Sequence, residues 1–203
     1  MIDRVDWKIF SPAPVIGVDE VGRGCLAGPV CAGAVIFVNL EDPNIENYDD
    51  SKKLSEPRRT KMAEAIWENH AVGIGIASVE EIEKFNILRA SLLAMKRAVM
   101  NLNVSSGHLL IDGIYKIPGL DKFKQSTFTK GDQRSNLIAA SSIVAKVHRD
   151  QLMSEYATEF PVYGFASNKG YGSKTHLEAL KAHGPTKIHR LSFRGVLPEE
   201  SPR

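Results

Sequence analysis

Short apolar runs, separated by turn residues and by longer amphipathic stretches, set the architecture that this chain can adopt. Four of these runs are predicted strands, at residues 15–18, 30–38, 72–76 and 109–112, and the segment 125–129 is predicted to be a fifth strand. Helical periodicity and capping residues predict helices at residues 57–69, 88–102, 135–156 and 175–183, and a capping box of Ser78 and Glu81 predicts the start of a shorter helix. The inner side of the helix at 135–156 is predicted to consist of Ile138, Ile143, Val147 and Leu152. Three strands, helices, two strands and further helices predict one α/β domain with a mixed sheet.

Composition excludes several classes of protein. With 203 residues, of which 43% are hydrophobic and 25% charged, the chain can bury the core of one good-sized domain. No apolar run reaches the roughly eighteen residues of a membrane span, and residues 1–10 lack the apolar segment of a signal peptide. We therefore expect a cytoplasmic protein, without a membrane partner, that is a monomer. The net charge of +2 says little about a nucleic-acid partner.

The two cysteines, Cys25 and Cys31, fit neither a disulfide framework nor a CxxC zinc pattern. We expect two small buried thiols. The six histidines likewise show no zinc-ligand spacing, so none is predicted to bind a metal.

Carboxylates stand at the ends of separate predicted elements. Asp19 and Glu20 end the first strand, Asp112 ends the fourth, and Asp132 lies between the fifth strand and the next helix. One such acid is usually a surface feature, but α/β sheets commonly gather their sites at strand ends. Clustered carboxylates repel one another unless a cation lies among them, and hard oxygen ligands favour Mg²⁺ or Mn²⁺. Two such ions can activate water and stabilise the leaving oxygen of a phosphodiester.

The adjacent acids Asp19 and Glu20 raise a geometric difficulty. Neighbouring residues of a regular strand point to opposite faces of the sheet, which would separate the two carboxylates. Gly22 and Gly24 tolerate unusual backbone angles. We therefore expect the strand to end or bulge here, so that both acids reach one site.

Six ordered motifs extend from about residue 15 to residue 193. They are Asp19-Glu20-Val21-Gly22-Arg23-Gly24 with Leu26-Ala27-Gly28-Pro29-Val30, Asp50-Ser51-Lys52-Lys53-Leu54-Ser55, Ile111-Asp112-Gly113, Lys130-Gly131-Asp132, the helical segment 138–150, and Gly170-Tyr171-Gly172 with His176 and His189-Arg190-Leu191-Ser192-Phe193. Together they resemble the signatures of the ribonuclease HII (type 2 ribonuclease H) family. Gly131 and Ser142 stand where that family often has alanine.

The resemblance implies a ribonuclease H-like fold, with a five-stranded mixed sheet flanked by helices and a helical C-terminal part. Residues 1–203 would form a single catalytic domain, with a core at about 15–160, a C-terminal junction-sensing part at about 161–193 and a tail at 194–203. The implied activity is endonucleolytic hydrolysis of the RNA strand of RNA–DNA hybrids, dependent on Mg²⁺ or Mn²⁺. Cleavage on the 5′ side of single ribonucleotides in duplex DNA would leave 3′-hydroxyl and 5′-phosphate ends, which suits removal of ribonucleotides and RNA primers from DNA.

The resemblance also implies roles for individual residues. The metal-binding and catalytic carboxylates would be Asp19, Glu20, Asp112 and Asp132. The backbone of Gly22, Arg23 and Gly24 would contact the 2′-hydroxyl, which suits residues that allow a close approach. Tyr171 would recognise the RNA–DNA junction. Lys52 and Lys53 would contact phosphates or, alternatively, neutralise the acidic loop before them.

Several alternatives to these assignments remain. Asp150 could be mistaken for the fourth carboxylate, and we interpret it as an exposed partner of Arg149 or Lys146. His189 and Arg190 could help to hold the C-terminal part, and their roles stay open.

Other classes of protein fit less well. A dinucleotide-binding module is disfavoured because the glycine spacing is GxGxxxG and Pro29 stands where its helix would run. A non-catalytic nucleic-acid-binding protein of ribonuclease H-like fold would be expected to lack the four carboxylates. A ribonuclease HIII would be expected to add an N-terminal substrate-binding domain, whereas about fourteen residues precede the first predicted strand.

Overall fold

The computed structural model describes residues 4–197, which contain a five-stranded sheet with helices on both faces. The strands are β1 (Val15–Val21), β2 (Val30–Ile36), β3 (Ala71–Ala77), β4 (Gly107–Asp112) and β5 (Phe123–Phe128). The helices are α1 (Glu56–Asn69), α2 (Val79–Phe85), α3 (Ile87–Met100), α4 (Asn136–Glu159), α5 (Phe165–Asn168) and α6 (Lys174–His183). Every predicted strand and helix is present with small shifts at its ends, so the predicted α/β mixed-sheet fold is confirmed.

The sheet has the strand order β3-β2-β1-β4-β5. β1 pairs antiparallel with β2, and β2 pairs antiparallel with β3. β1 pairs parallel with β4, and β4 pairs parallel with β5. The C-terminal ends of β1, β4 and β5 therefore lie at the same edge of the sheet, which is where the predicted carboxylates stand.

The two sides of the sheet are covered by different helices. α1 and α4 pack on one face, where Ile66, Leu137 and Ile143 are buried with Leu110. α2 and α3 cover the other face, where Ile82 and Val99 are buried. The predicted capping box is present at the start of α2, because the Ser78 hydroxyl accepts from the Glu81 backbone N–H and the Glu81 carboxylate accepts from that of Ser78.

The glycines of β3 allow α3 to approach the sheet closely. A Cβ atom at Gly73 or Gly75 would collide with the backbone carbonyls of Ala98 and Ala94 in α3. The side of β3 that carries no side chains is therefore the side on which this helix packs.

A third cluster joins the C-terminal part to the end of α4. Met153, Phe165, Leu180 and Val196 are buried together there. Val196, which falls within the predicted tail at 194–203, is only 3% exposed and belongs to this cluster. Residues 198–203 of that predicted tail lie outside the described part of the chain. Among residues 4–197, the structure has no helix long and apolar enough to span a membrane.

The buried side of α4 differs from the predicted one. Ile138 and Ile143 are buried as expected, but Val147 and Leu152 are only partly buried. In the second half of the helix the buried positions are instead Arg149, Asp150 and Met153. The fully buried Arg149 of this helix donates hydrogen bonds to the loop between β1 and β2, which follows Asp19 and Glu20.

Candidate active site

Asp19 and Glu20 point to opposite faces of the sheet. β1 continues through Val21 in regular register with β2, so the expectation that the strand ends or bulges at the acids is wrong. Asp19 faces α4, where its carboxylate bonds to the Ser142 side chain. Glu20 faces the other side, where Arg23 Nη1 donates to its Oε1 over 3.2 Å. The regular strand therefore presents one carboxylate on each side of its end.

Asp112 lies next to this divided pair. The parallel ladder between β1 and β4 stops at Val18 and Ile111, and Asp112 is the last residue of β4. Its charge acts on both Asp19 and Glu20. It also holds the loop after β5, because its Oδ1 accepts from the backbone N–H of Gly131 over 2.6 Å. Asp112 thus connects the two faces of the sheet edge.

Asp132 completes the group from the loop between β5 and α4. It lies in a 3₁₀ turn, Gly131–Gln133, and is only 5% exposed. The turn follows Lys130, whose backbone is left-handed with φ 55°. The four predicted carboxylates therefore come from three segments of the chain and meet at one edge of the sheet.

The charges of these acids oppose one another. Burial, reinforced by Glu20 and Asp112, raises the pKa of Asp19 well above its usual value. Burial also raises the pKa of Glu20 against the opposing effect of Arg23. For Asp132, burial and then the charge of Asp112 raise the pKa. The cluster thus carries more negative charge than its surroundings compensate, which favours a cation.

Two basic side chains supply part of the missing positive charge. Lys52 Nζ lies 3.6 Å from Asp132 Oδ2, and although burial opposes it, the nearby carboxylates of Asp132 and Asp50 raise the pKa of Lys52. Arg23 pairs with Glu20. Lys53 points elsewhere, to an exposed pair with Asp49 at 3.3 Å. The structure therefore brings Lys52, but not Lys53, to the carboxylates.

In the arrangement described above, the four carboxylates are not yet positioned around a common metal-binding point. Within residues 4–197, no set of three or more His, Cys, Asp or Glu side chains has the geometry to hold a metal ion as it stands. The donor set itself, four carboxylates with unbalanced charge, suits hard divalent cations such as Mg²⁺ and Mn²⁺. Arg23 and Lys52 occupy the carboxylates that such cations would use.

The loop between β1 and β2 is held by two buried arginines. Arg149 of α4 donates to the carbonyls of Pro29 and Ala27, each over 3.0 Å, and to that of Lys169 over 2.8 Å. Arg190 donates to the carbonyl of Gly28 over 2.8 and 3.0 Å and to that of Arg23 over 2.9 Å. Both side chains are fully buried, and burial lowers the pKa of Arg190 to about 10, so it stays charged at neutral pH.

These arginines act on the loop without acidic partners. Within the described residues, neither guanidinium forms an ion pair with a carboxylate. Gly22 has φ +95° and packs against the Arg149 guanidinium, so any side chain there would be strained and would collide with it. A Cβ at Gly24, by contrast, would meet nothing within 4 Å. The backbone at Gly24 is thus accessible to a ligand, whereas Gly22 is held against the Arg149 guanidinium.

Tyr171 lies beside this loop. The carbonyl of Gly170 accepts from the backbone N–H of Leu26 over 2.8 Å. The Tyr171 side chain, 44% exposed, bonds to Cys25, and burial together with that neighbour raises the pKa of Tyr171. The residues predicted to contact the 2′-hydroxyl, Gly22 to Gly24, and the residue predicted to recognise the junction, Tyr171, are therefore neighbours. Cys25 and Cys31 are both free and buried, as predicted.

Some residues that build the site were not predicted. The Ser142 hydroxyl bonds to Asp19 and lies 3.0 Å from that of Ser51, which ties the second motif to the first carboxylate. The position of Ser142 was noticed only as a departure from the family pattern. Arg149 could have been found, because it falls at the spacing of the buried residues Ala145 and Met153.

Asp150 differs from its interpretation as an exposed partner of Arg149 or Lys146. It is 8% exposed, and its Oδ1 accepts from Lys146 Nζ over 2.7 Å, so Lys146 was correctly named. Arg149 is not its partner; the second one is Arg59 at 3.6 Å. Arg59 in turn donates to the carbonyls of Ser51 and Leu54. Asp150 therefore anchors the loop that carries Lys52.

Asp150→Asn should lower the free energy of unfolding by about 2 kcal/mol, because it leaves two largely buried cations without a counter-charge. Urea denaturation measures the loss. Asp49→Asn is the matched control, since Asp49 and its partner Lys53 are about half exposed and such a pair contributes little. Equal stability of the Asp150 and Asp49 variants would contradict this role.

A family model described as Ribonuclease HII matches residues 16–196. The ribonuclease HII of Thermotoga maritima is 49% identical over 199 residues, which cover 97% of this chain and 79% of that protein. The ribonuclease HII of Geotalea daltonii is 50% identical over 185 residues, covering 91% of this chain and 84% of that protein.

Solved structures agree on the fold. The chain resembles ribonuclease HII in a PCNA:RNase HII complex from Archaeoglobus fulgidus, with a TM-score of 0.76, 23% identity and coverage of 93% of this chain and 98% of that one. A Bst-RNase HIII structure in complex with Mn²⁺ aligns with a TM-score of 0.68 and 16% identity, covering 92% of this chain and 69% of that one. The predicted ribonuclease H-like fold is confirmed.

The family match covers the sheet, its edge of carboxylates and the C-terminal helices. Ribonucleases HII are hydrolases with ribonuclease H activity on RNA–DNA substrates. With this geometry and about half of its residues shared with curated members, the chain belongs to the ribonuclease HII family.

Proposed function

We propose that this protein is a divalent-cation-dependent endonuclease that hydrolyses the RNA strand of RNA–DNA hybrids and cuts on the 5′ side of single ribonucleotides in duplex DNA. The observation that carries the proposal is the meeting of Asp19, Glu20, Asp112 and Asp132 at one sheet edge, beside the open backbone of Gly24. Its role would be removal of ribonucleotides and RNA primers from DNA, during replication and repair.

The four carboxylates would hold two ions of Mg²⁺ or Mn²⁺. Bound there, such ions would supply an activated water and charge stabilisation for the leaving 3′ oxygen. The chain's own contribution is to place the acids: Asp112 fixes the Asp132 loop through Gly131, and Ser142 orients Asp19. Arg23 and Lys52, which pair with two of the acids, can turn to the phosphates of the substrate when cations take their place.

The loop between β1 and β2 would recognise the ribose. The 2′-hydroxyl is the group that distinguishes RNA from DNA at a given sugar. At Gly24 the backbone is exposed and a side chain would extend into open space, so a sugar can approach it directly. Because Arg149 and Arg190 hold this backbone by four of its carbonyls, it presents its polar groups in one fixed arrangement. One ribonucleotide would then suffice for recognition.

Tyr171 would read the next sugar. Its ring is partly exposed next to the same loop, so it can stack on a deoxyribose that follows the ribonucleotide. A 2′-hydroxyl on that sugar would crowd the ring. The enzyme would therefore favour the junction at which RNA gives way to DNA.

The test of this proposal is cleavage of a DNA duplex that contains one ribonucleotide, with analysis of the ends. We expect a single cut on the 5′ side of the ribonucleotide, a 3′-hydroxyl and a 5′-phosphate. Because water is the nucleophile in this proposal, the 2′-hydroxyl serves only recognition. A 2′,3′-cyclic phosphate would contradict the mechanism.

Tyr171→Ala should lower the preference for the junction over a long hybrid by about tenfold, as expected for the loss of roughly 1–2 kcal/mol of stacking. The ratio of kcat/KM on the two substrates measures the preference. Tyr171→Phe is the matched control and should keep most of it, since it keeps the ring. A Tyr171→Ala variant with the parent's preference would contradict the role of the ring.

Two further properties are proposed rather than observed. We propose a cytoplasmic monomer, organised as the single catalytic domain with a core and a junction-sensing C-terminal part described above. The alternative of a non-catalytic nucleic-acid-binding protein is disfavoured because all four carboxylates are present at the sheet edge.

A further inference from the structure

Two buried histidines connect the segment after α6, at Thr186, to the backbone of Tyr171. His176 of α6 and His189 are 0% and 2% exposed, and their Nε2 atoms lie 3.0 Å apart. His176 Nδ1 lies 2.9 Å from the backbone carbonyl of Tyr171. His189 Nδ1 lies 2.8 Å from the backbone nitrogen of Thr186. The two rings thus form a continuous hydrogen-bonded chain between two backbone groups.

The backbone groups at the two ends of this series of hydrogen bonds determine which nitrogen of each imidazole carries the proton. The Thr186 N–H can only donate, so His189 Nδ1 must accept and its proton must be on Nε2. His189 Nε2 then donates to His176 Nε2, and His176 must carry its proton on Nδ1. That proton is donated to the Tyr171 carbonyl, which can only accept. Both rings are therefore neutral, each in one defined tautomer.

The surroundings favour the same state. The rings of Tyr163 and Phe165 pack against both histidines. Within residues 4–197 neither histidine has a carboxylate partner, and the one histidine–carboxylate pair is that of His70 with Asp42. Burial and the neighbouring His176 lower the pKa of His189 to about 4, and burial lowers that of His176.

The segment that carries His189 also contacts the loop between β1 and β2. The carbonyl of Ile188 accepts from the Gly28 N–H, and the Arg190 N–H donates to the Leu26 carbonyl, both over 2.8 Å. The Arg190 side chain adds its bonds to Gly28 and Arg23. One short segment, Ile188 to Arg190, is therefore bonded directly to the loop between β1 and β2 and, through His176, to Tyr171.

We propose that His176 and His189 are positioning residues that fix Tyr171 relative to the Gly22–Gly24 backbone, and thereby set the preference for RNA–DNA junctions. The inference rests on the proposed function, because it assigns the pair to junction reading by Tyr171. Beside His176, the Tyr171 carbonyl accepts only from the Ser173 N–H among the described residues. Loss of the His176 bond would free the Tyr171 loop from the Ile188–Arg190 segment.

Nitrogen-15 NMR of the imidazole rings in the full chain tests the proton arrangement. We expect two neutral rings at about pH 7, with His176 protonated on Nδ1 and His189 on Nε2. A charged ring, or the opposite tautomer of His176, would overturn the assignment. If the two histidines only filled space in the core, neither ring would need one particular tautomer.

The functional test replaces His176 by Phe, which keeps a ring but removes both hydrogen bonds. We expect the junction preference, as the ratio of kcat/KM on a single-ribonucleotide duplex and a long hybrid, to fall about fivefold. His183→Phe is the matched control, since His183 is exposed on the same helix and outside the chain of bonds. His176→Asn should recover part of the preference, because its amide can donate to the Tyr171 carbonyl.

The unfolding transition of each variant is measured alongside, so that the ratio is taken only from folded protein. A folded His176→Phe variant with the parent's ratio, or a His176→Asn variant as impaired as His176→Phe, would overturn the proposal. The double variant with Tyr171→Ala should lose no more preference than Tyr171→Ala alone, whereas independent structural effects would add. If Tyr171→Ala itself keeps the preference, the junction-reading function fails; if only His176→Phe keeps it, the positioning role alone fails.

Discussion

Asp112→Asn is expected to lower hydrolysis of an RNA–DNA hybrid by about a thousandfold or more. Asp112 is the acid whose charge reaches both Asp19 and Glu20, across the two faces of the sheet edge. An amide cannot supply the charge that holds divalent cations, and the several kcal/mol that such ions contribute correspond to about tenfold per 1.4 kcal/mol. The fold should persist, because an asparagine oxygen can still accept from the Gly131 N–H.

Single-turnover cleavage with excess enzyme measures this loss at the chemical step. The matched control is Asp121→Asn, because Asp121 is exposed in the loop before β5 and away from the carboxylates. It should cleave at the parent's rate. An Asp112→Asn variant that retained even a tenth of the parent's rate would show that the site is elsewhere.

Arg149→Met should lower the free energy of unfolding by about 3 kcal/mol and the melting temperature by about 9 °C. Methionine fills the space and removes a buried charge, which by itself would be favourable. The loss prevails because the carbonyls of Pro29, Ala27 and Lys169 are left without their donors. Since these carbonyls belong to the loop beside Gly22 and to the segment before Tyr171, cleavage at a single ribonucleotide should fall as well.

Thermal unfolding followed by circular dichroism measures the change. Arg58→Met provides the comparison, because Arg58 is exposed on α1 and its loss should alter stability by less than about 0.5 kcal/mol. If Arg149→Met had the same melting temperature as the Arg58→Met variant, the loop between β1 and β2 would not depend on the buried guanidinium.

Local patterns in the sequence predicted most of the fold. Alternating or continuous apolar runs predicted the first four strands, and Ser78 with Glu81 predicted the start of α2. The acids at strand ends were recognisable because an unpaired charge is costly beside an apolar strand. Family resemblance then supplied roles for the motifs, and the family match supports the fold and the class of activity.

Features that depend on the relation between distant segments were not predictable. The regular strand through Val21 carries Asp19 and Glu20 on opposite faces, and only the position of Asp112 between them brings the acids together. The bonds of Arg149 reach residues 20 to 122 positions away along the chain. Asp150 looked like a surface acid because its partner Arg59 lies on another helix.

Cleavage of a long RNA–DNA hybrid by the chelator-treated protein, with Mg²⁺ or Mn²⁺ added back stepwise, tests the central claim most directly. The account predicts no cleavage in chelator, and cleavage of the RNA strand alone that rises with either cation and disappears in Asp112→Asn. Cleavage that persisted in chelator, or a folded protein that bound the hybrid but left it intact at every cation concentration, would contradict it.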